Sequence, residues 1–295
     1  MKRTRFTFPF VAALTYIVLA TSSSQAAIRN YSADVENSNW RLASGTRLNC
    51  TLSHQIPGYG TALFRSVASK QLNMEFELDM LLLPKTYDFA GVYSVPPRWI
   101  PGGAQRTIAQ MPLRKQFDSE LPETAAWTML SELEKGYWPT IYYQDWYNQN
   151  DQISVALNAA NFTEVYQNFA RCVSRLLPFS FEDIAYTVLN YKLNSTELTK
   201  ASERRLAMIS EYLAQDSEME LVLVDGYSDS FGGSFKNKEL SVERAVETKA
   251  RLRNMGVTAN IIEVTGHGER RHVAQNNNER TRPQNRRVVI RMEKP

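Results

Sequence analysis

Hydrophobic and polar residues alternate most regularly in residues 72–82. From Leu72 to Met80 every second side chain is apolar, and the residues between them are Asn, Glu or Asp. A period of two predicts a β-strand with one buried face and one solvated face. Shorter runs of strand-forming residues predict further strands at residues 62–67, 140–143 and 152–157.

The chain between residues 83 and 116 is rich in proline, at positions 84, 96, 97, 101 and 112. Proline has no backbone N–H, and within sheets it is confined to edge strands and strand ends. This spacing therefore favours turns and edge strands over helices. We expect residues 27–177 to form a β-rich domain, barrel-like or sandwich-like, that is closed by a helix.

A helical pattern ends this first half. Apolar side chains recur there at spacings of three and four residues: Phe162, Val165, Tyr166, Phe169, Cys172, Val173 and Leu176. Asn161, with Glu164 three residues later, resembles a capping box at the start of the helix. Pro178 stops the pattern, and we place the predicted domain boundary there.

The second half, residues 178–295, alternates strand and helix patterns. The predicted strands are residues 183–193, 220–224, 261–264 and 287–292. One helix is predicted to open near residue 195 and another to span residues 237–254, with Gly256 placed to end it. The order β-α-β-α-β-β predicts an α/β sandwich with a mixed sheet and helices on one face, so the whole chain is predicted to be a two-domain α+β protein.

Residues 1–26 have the pattern of an export signal. A basic start with Lys2 and Arg3 precedes an apolar stretch, and the small residues Ser24 and Ala26 fit a signal-peptidase site. The apolar stretch is shorter than the ~20 residues that a membrane-spanning helix needs. We therefore expect an exported periplasmic protein, with an uncleaved anchor as the alternative.

Composition and motifs narrow the function classes. The formal net charge is +3, and neither half has the basic excess of a nucleic-acid-binding domain, so we expect no nucleic-acid partner. The sequence contains no nucleophile elbow, zinc-protease or P-loop motif. We expect no enzyme, no cofactor and no metal site. A hydrolytic pair of carboxylates leaves no sequence motif, so a hydrolase is the alternative.

The chain has two cysteines, Cys50 and Cys172. In an oxidising compartment they can form one intramolecular disulfide, and their spacing fits no zinc or redox motif. Closing a loop of ~120 residues would stabilise the fold by ~4 kcal/mol through the chain entropy of the unfolded state. Two buried free thiols are the alternative.

Three ordered motifs lie in the second half. They are Gly-Tyr-Ser-Asp at residues 226–229, Asn237 with Leu-Ser-Val-Glu-Arg-Ala at residues 240–245, and Arg-Pro-Gln-Asn-Arg-Arg-Val at residues 282–288. With a Gly-His-Gly at residues 266–268, they resemble the OmpA-like family of peptidoglycan-binding domains over residues 179–292. Where that family has His-Thr before the aspartate, this chain has Tyr227 and Ser228, which changes the packing beside the site.

The resemblance implies a pocket for the diaminopimelate of peptidoglycan stem peptides. That group carries an ammonium and carboxylates close together, so its receptor needs a carboxylate and a guanidinium on facing walls. Asp229 is implied to accept from the ammonium, and Arg244 to bind a carboxylate. Asn237, Arg286 and Ser228 are further candidates for the pocket walls.

The two-domain layout also resembles the MotY family of the sodium-driven flagellar motor, in its export signal, its two cysteines and its linker near Pro178. This resemblance implies that the N-terminal domain docks on the flagellar basal body, recruits a MotX-like protein and supports stator assembly, while the C-terminal domain binds the wall. The alternative is a general envelope-integrity anchor for another periplasmic or outer-membrane complex. The aromatic residues that are candidates for a partner surface, or for the core, are Tyr137, Trp138, Tyr142, Tyr143 and Trp146.

Overall fold

The structure is a computed structural model that describes residues 27–216, 218–258 and 261–295. The export signal predicted at residues 1–26 lies outside the described residues. The described residues contain two hydrophobic cores, one in each half of the chain. None of the helices in these ranges is long and apolar enough to cross a membrane.

The first half contains two five-stranded sheets. In spatial order, the strands of the first sheet are β1 (Ile28–Ser32), β10 (Gln152–Ala156), β9 (Trp138–Gln144), β6 (Asp88–Val95) and β7 (Arg106–Leu113). The strand β1 pairs in parallel with β10, and the other neighbours are antiparallel. The proline-rich segment thus supplies β6 and β7, and β7, which contains Pro112, lies at the edge of the sheet as its proline requires.

The second sheet is antiparallel throughout. Its strands, in spatial order, are β2 (Trp40–Gly45), β3 (Asn49–Ile56), β4 (Gly60–Val67), β5 (Glu75–Met80) and β8 (Ser119–Leu121). The strand predicted at residues 72–82 is β5, and its burial follows the predicted alternation, with Phe76 and Leu78 buried between exposed or half-buried acids.

Both sheets contribute to a single core. Leu52 and Phe64 from the second sheet lie in it with Val92 and Ile141 from the first, and all four are fully buried. Side chains from two facing sheets exclude water from one another, which is the packing of a sandwich. The predicted β-rich, sandwich-like first domain is confirmed.

Two helices belong to this core. The helix α1 (Glu123–Glu134), which the sequence patterns did not predict, buries Met129 and Leu130, and α2 (Phe162–Val173) buries Phe162 and Phe169. The capping box predicted for α2 is wrong. Asn161 adopts a left-handed conformation with φ of 60° and makes no side-chain cap. Its amide instead donates to the carbonyl of Ser38 at 3.2 Å.

Cys50 in β3 and Cys172 in α2 form a disulfide, with their Cα atoms 6.0 Å apart. The bond joins the closing helix to the second sheet across 122 residues of sequence. The predicted bridge is therefore present, and the described residues include no free cysteine.

The second half is built on a four-stranded mixed sheet. Its strands, in spatial order, are β11 (Tyr186–Asn190), β14 (Arg287–Glu293), β12 (Leu221–Tyr227) and β13 (Ile262–Gly266). The strands β12 and β13 are parallel, whereas β14 is antiparallel to both of its neighbours. The predicted mixed sheet is confirmed. The strand predicted at residues 183–193 is shorter, because a helical turn, α3 (Glu182–Ala185), precedes it.

Two long helices, α4 (Lys200–Leu213) and α5 (Ser234–Asn254), pack on one face of this sheet, and a short turn, α6 (Arg282–Asn285), precedes β14. The helix α4 begins after the predicted position because the Thr199 hydroxyl caps it by accepting from the backbone N–H of Ser202. Gly256, with φ of 100°, follows the end of α5 as predicted.

The segment around residue 178 contacts both halves. Leu177 belongs to the second core together with Ala68 from the first half. The backbone N–H of Leu177 donates to the carbonyl of Arg47 at 2.9 Å, and Arg47 forms an ion pair of 2.7 Å with Glu211 on α4. The boundary near Pro178 stays a prediction, and this segment is packed rather than a free linker.

Candidate binding site

The close approach of β12 to α5 shapes the candidate site. A Cβ atom at Gly226 would lie 2.0 Å from the backbone oxygen of Ser241, so no other residue fits there. At Gly266, at the end of β13, a Cβ atom would lie 2.5 Å from Cγ2 of Val242. These two glycines bring the ends of two parallel strands against the same helix.

Hydrogen bonds fix the loops that leave these strands. The backbone N–H of Ser228 donates to the carbonyl of Gly268 at 2.8 Å, and that of His267 donates to the carbonyl of Gly226 at 2.7 Å. The N–H of Gly268 donates to the hydroxyl of Ser241 at 2.9 Å. The loop that carries Asp229 is therefore held by the next loop and by α5.

Asp229 and Arg286 form a buried ion pair. Nη1 of Arg286 donates to Oδ2 of Asp229 at 2.8 Å, and the two side chains are 11% and 6% exposed. Oδ1 of Asp229 accepts from the backbone N–H of Phe231 at 3.3 Å. Since Arg286 follows α6 and Asp229 follows β12, the adjacent strands β12 and β14 bring the pair together.

Arg244 lies on the buried face of α5 and is fully buried. Its Nε donates to the carbonyl of Ser195 at 3.0 Å, its Nη2 to the carbonyl of Lys192 at 3.3 Å, and its guanidinium lies 5.1 Å from the ring centre of Tyr191. Burial lowers the pKa of Arg244 to about 10, and the charges of Arg286 and Asp229 act on it in opposite directions. Arg244 is thus within electrostatic reach of the ion pair, but Asp229 pairs with Arg286.

Three polar atoms in this cluster have no hydrogen-bond partner in the described part of the chain. They are Nη1 of Arg244, Nε of Arg286 and Oγ of Ser228, and all three are buried. Buried polar atoms are almost always hydrogen-bonded, because an unsatisfied one costs ~1–3 kcal/mol. Two guanidinium groups and a carboxylate have the charges that a ligand with both a carboxylate and an ammonium would require.

Asn237 lies apart from this cluster. Its Nδ2 donates to Oε2 of Glu269 at 3.1 Å. It borders an open groove of about 930 Å³, whose wall also includes the exposed side chains of Phe231 and Phe235. Asn237 therefore lines this groove, and it makes no hydrogen bond to Asp229 or Arg286.

Tyr227, which replaces the family's histidine, packs on the other side of β12. Its ring stacks on His267 with centres 4.7 Å apart, and the guanidinium of Arg287 lies 4.0 Å from its ring centre. Neighbouring Arg286 and Arg287 point to different partners, since Arg287 donates to the carbonyl of Arg271 at 2.9 Å. The tyrosine consequently supports the sheet, and the ion pair is made without it.

Some site residues were not predicted from the sequence. Tyr191 and the carbonyls of Lys192 and Ser195 position Arg244, and they belong to the turn between β11 and α4. Backbone carbonyls have no residue signature, so no sequence pattern points to them.

The first half of the chain, residues 31–178, matches the MotY N-terminal domain family, and residues 190–286 match the OmpA family. The chain is 39% identical over 273 residues to the sodium-type flagellar protein MotY of Vibrio parahaemolyticus, a match that covers 92% of this chain and 93% of that protein. The chain belongs to the MotY family. The predicted resemblance to that family is confirmed.

Other proteins match part of this MotY-family chain. The peptidoglycan-associated lipoprotein of Buchnera aphidicola is 24% identical over 149 residues, which cover 50% of this chain and 78% of that protein. The crystal structure of the peptidoglycan-associated lipoprotein from Burkholderia pseudomallei matches with 24% identity and a TM-score of 0.33, over 36% of this chain and 89% of that one. The periplasmic domain of Helicobacter pylori MotB matches with 22% identity and a TM-score of 0.31, over 36% of this chain and 68% of that one.

Proposed function

We propose that this chain is a non-enzymatic periplasmic anchor of the sodium-driven flagellar motor. Its C-terminal half binds peptidoglycan, and its N-terminal half docks on the flagellar basal body, recruits a MotX-like protein and supports stator assembly. Membership of the MotY family and the OmpA-family match of the second half support this proposal.

The observation that carries the wall-binding part is the cluster around Asp229. A buried carboxylate lies with two buried guanidinium groups, and three polar atoms of the cluster lack partners among the described residues. Such a set of unsatisfied donors favours a polar ligand, because a ligand that pairs with them recovers their desolvation cost.

Diaminopimelate has the chemistry that this cluster requires. Its ammonium would be accepted by Asp229, whose ionised carboxylate has more acceptor sites than its present bonds to Arg286 and Phe231 use. A carboxylate of the ligand would accept from Nε of Arg286 and Nη1 of Arg244, as charge-assisted hydrogen bonds. In this proposal Asp229 and Arg244 have the roles predicted from the sequence, and Arg286 would bind the ligand directly together with them.

One such site would bind peptidoglycan with low affinity, since it offers a single ion pair and a few hydrogen bonds. Several copies held in a ring by the N-terminal halves would raise the effective concentration of wall sites and hence the total hold. We therefore expect modest binding by a single molecule and firm retention in the assembled motor.

Sedimentation with purified, insoluble peptidoglycan tests wall binding directly. The exported full-length chain should sediment with the wall, and Asp229→Asn should sediment at least tenfold less, because Asn keeps the shape but loses the charge. Asp225→Asn is the matched control. Asp225 lies on β12, the strand that precedes Asp229, but bonds to other partners, His267 and Arg291.

Equal sedimentation of the Asp229→Asn and Asp225→Asn variants would contradict the proposed site. If the pure protein digests the peptidoglycan, the alternative of a hydrolase is supported instead.

Deletion of the gene in its host tests the motor role. Cells that carry flagella but do not swim would support it. Cells that swim but have a leaky envelope would favour the general envelope-integrity anchor.

A further inference from the structure

A second groove, distinct from the cluster around Asp229, lies beside the disulfide and is lined by the first half and by Gln215 of the second half. It is open, with a volume of about 690 Å³, and runs between β2 with its turn into β3 on one side and α2 on the other. Four arginines line it, at positions 41, 47, 171 and 175, and none of its lining residues is acidic. We call it the arginine groove.

Three of these arginines have no carboxylate partner. Arg47 forms an ion pair with Glu211, but no carboxylate lies within ion-pair distance of Arg41, Arg171 or Arg175 in the described residues, which include every Asp and Glu of the chain. Arg41 donates to the hydroxyl of Ser53 at 3.1 Å, and Arg171 to the amide of Asn168. All three arginines are exposed. The groove therefore carries an uncompensated positive charge that favours an anionic occupant.

A strand edge borders the arginine groove. The strand β2 is the end strand of its sheet and pairs only with β3 among the described strands. Its residues Arg41, Leu42 and Ala43 are exposed. An unpaired strand edge offers N–H and C=O groups to an extended peptide, which can bind as an added strand.

We propose that the arginine groove docks an extended acidic segment of a partner protein. The free edge of β2 would bind its backbone, and the planar forks of Arg41, Arg171 and Arg175 would bind its carboxylates. This inference rests on the proposed function, because it assigns the partner-docking role of the N-terminal half to one surface.

The lining of the groove favours a peptide over an acidic polysaccharide. Leu42 and Val165 give it apolar surface between the arginines. A peptide that alternates acidic and apolar side chains can use both, whereas a sugar acid offers carboxylates without apolar side chains.

A defined probe tests the proposal on the exported full-length chain. Fluorescence anisotropy is measured with a labelled peptide of four Glu-Val repeats, with its Gln-Val counterpart, and with an oligogalacturonate of similar charge. The chain should bind the Glu-Val peptide at least tenfold more tightly than either other probe, and added salt should weaken that binding.

The test variant is Arg171→Glu with Arg175→Glu, and the matched control is Arg98→Glu with Lys115→Glu, which makes the same charge change at other exposed positions of this half. The test variant should lose at least tenfold in affinity for the Glu-Val peptide, and the control should stay within about twofold. A nonspecific attraction depends on net charge and would weaken equally in both variants. Equal losses in both variants would overturn the proposal, as would equal affinity for the oligogalacturonate.

A cellular measurement separates this inference from the wall-binding proposal. The test variant should sediment with peptidoglycan as the unaltered chain does, but should be missing from purified flagellar basal bodies. If it stays on the basal bodies, the arginine groove is not the docking surface. If the unaltered chain does not bind peptidoglycan, the wall-binding proposal is wrong. That result does not depend on whether the arginine groove binds the acidic peptide.

Discussion

Removing one partner of the buried ion pair between Asp229 and Arg286 should destabilise the fold more than removing one partner of an exposed pair in the same half. Removing one partner of a buried pair leaves an uncompensated charge and costs ~3–5 kcal/mol. With side chains 6% and 11% exposed, Asp229→Ala should lower the free energy of unfolding of the second half by ~3 kcal/mol. Removing both partners should cost less than Asp229→Ala alone, because no charge is left unpaired.

The control is the pair between Glu247 and Arg251 on α5, whose atoms lie 3.2 Å apart with side chains 44% and 42% exposed. Glu247→Ala should change the free energy of unfolding by less than ~1 kcal/mol, because water screens this pair. Both pairs join a carboxylate to an arginine in the same half of the chain, and they differ in burial and in sequence separation.

Urea unfolding of the full chain, followed by two signals, measures these differences. All five tryptophans lie between Trp40 and Trp146, so tryptophan fluorescence reports the first half, whereas far-ultraviolet circular dichroism reports both. Asp229→Ala should shift the dichroism transition and leave the fluorescence transition in place. Equal shifts for Asp229→Ala and Glu247→Ala, or a double variant with Arg286→Ala that is no better than Asp229→Ala, would refute the reasoning.

Two further predictions concern the first half. Cys50→Ser opens a loop that spans 122 residues and should lower the free energy of unfolding by ~2–5 kcal/mol. Thermal melting measures this change. An unchanged melting temperature would show that the disulfide does not stabilise the fold. Burial lowers the pKa of His54 to about 4, from an ordinary value of 6.5. The unfolded chain therefore takes up a proton at a higher pH than the folded chain, so stability is full above pH 6.5 and falls by ~3 kcal/mol toward pH 4. His54→Phe should flatten that difference in urea titrations followed by tryptophan fluorescence, and an unaltered pH dependence would count against the burial argument.

The sequence predicted elements whose burial is one-sided. The strand β5 and the helix α2 show clean periods because one face of each meets the core. The helix α1 was missed because a charged residue interrupts its buried face. Glu132 is 5% exposed there, and its charge is compensated by Lys135 at 2.8 Å and by Arg106 at 2.7 Å. The Ser94 hydroxyl also donates to it at 2.5 Å, and neither Arg106 nor Ser94 is near Glu132 in the sequence.

The candidate site was predictable as a set of motifs but not as a set of contacts. The motifs placed Asp229 and Arg286 at the ends of what prove to be adjacent strands, β12 and β14. Which arginine pairs with the carboxylate depends on side-chain reach across the sheet, and Arg244 is drawn instead to backbone carbonyls 49 and 52 residues away. Every residue has a backbone carbonyl, so contacts to carbonyls this distant in sequence produce no residue pattern from which they could be predicted.

Calorimetric titration of the exported chain with two soluble stem peptides tests wall recognition most directly. The two peptides differ only in carrying diaminopimelate or lysine, which lacks the side-chain carboxylate. The diaminopimelate peptide should bind at least tenfold more tightly, and Asp229→Asn should abolish the binding of both, because the ammonium is common to them. Equal affinity for the two peptides, or binding that survives Asp229→Asn, would contradict a site built from one carboxylate and facing guanidinium groups.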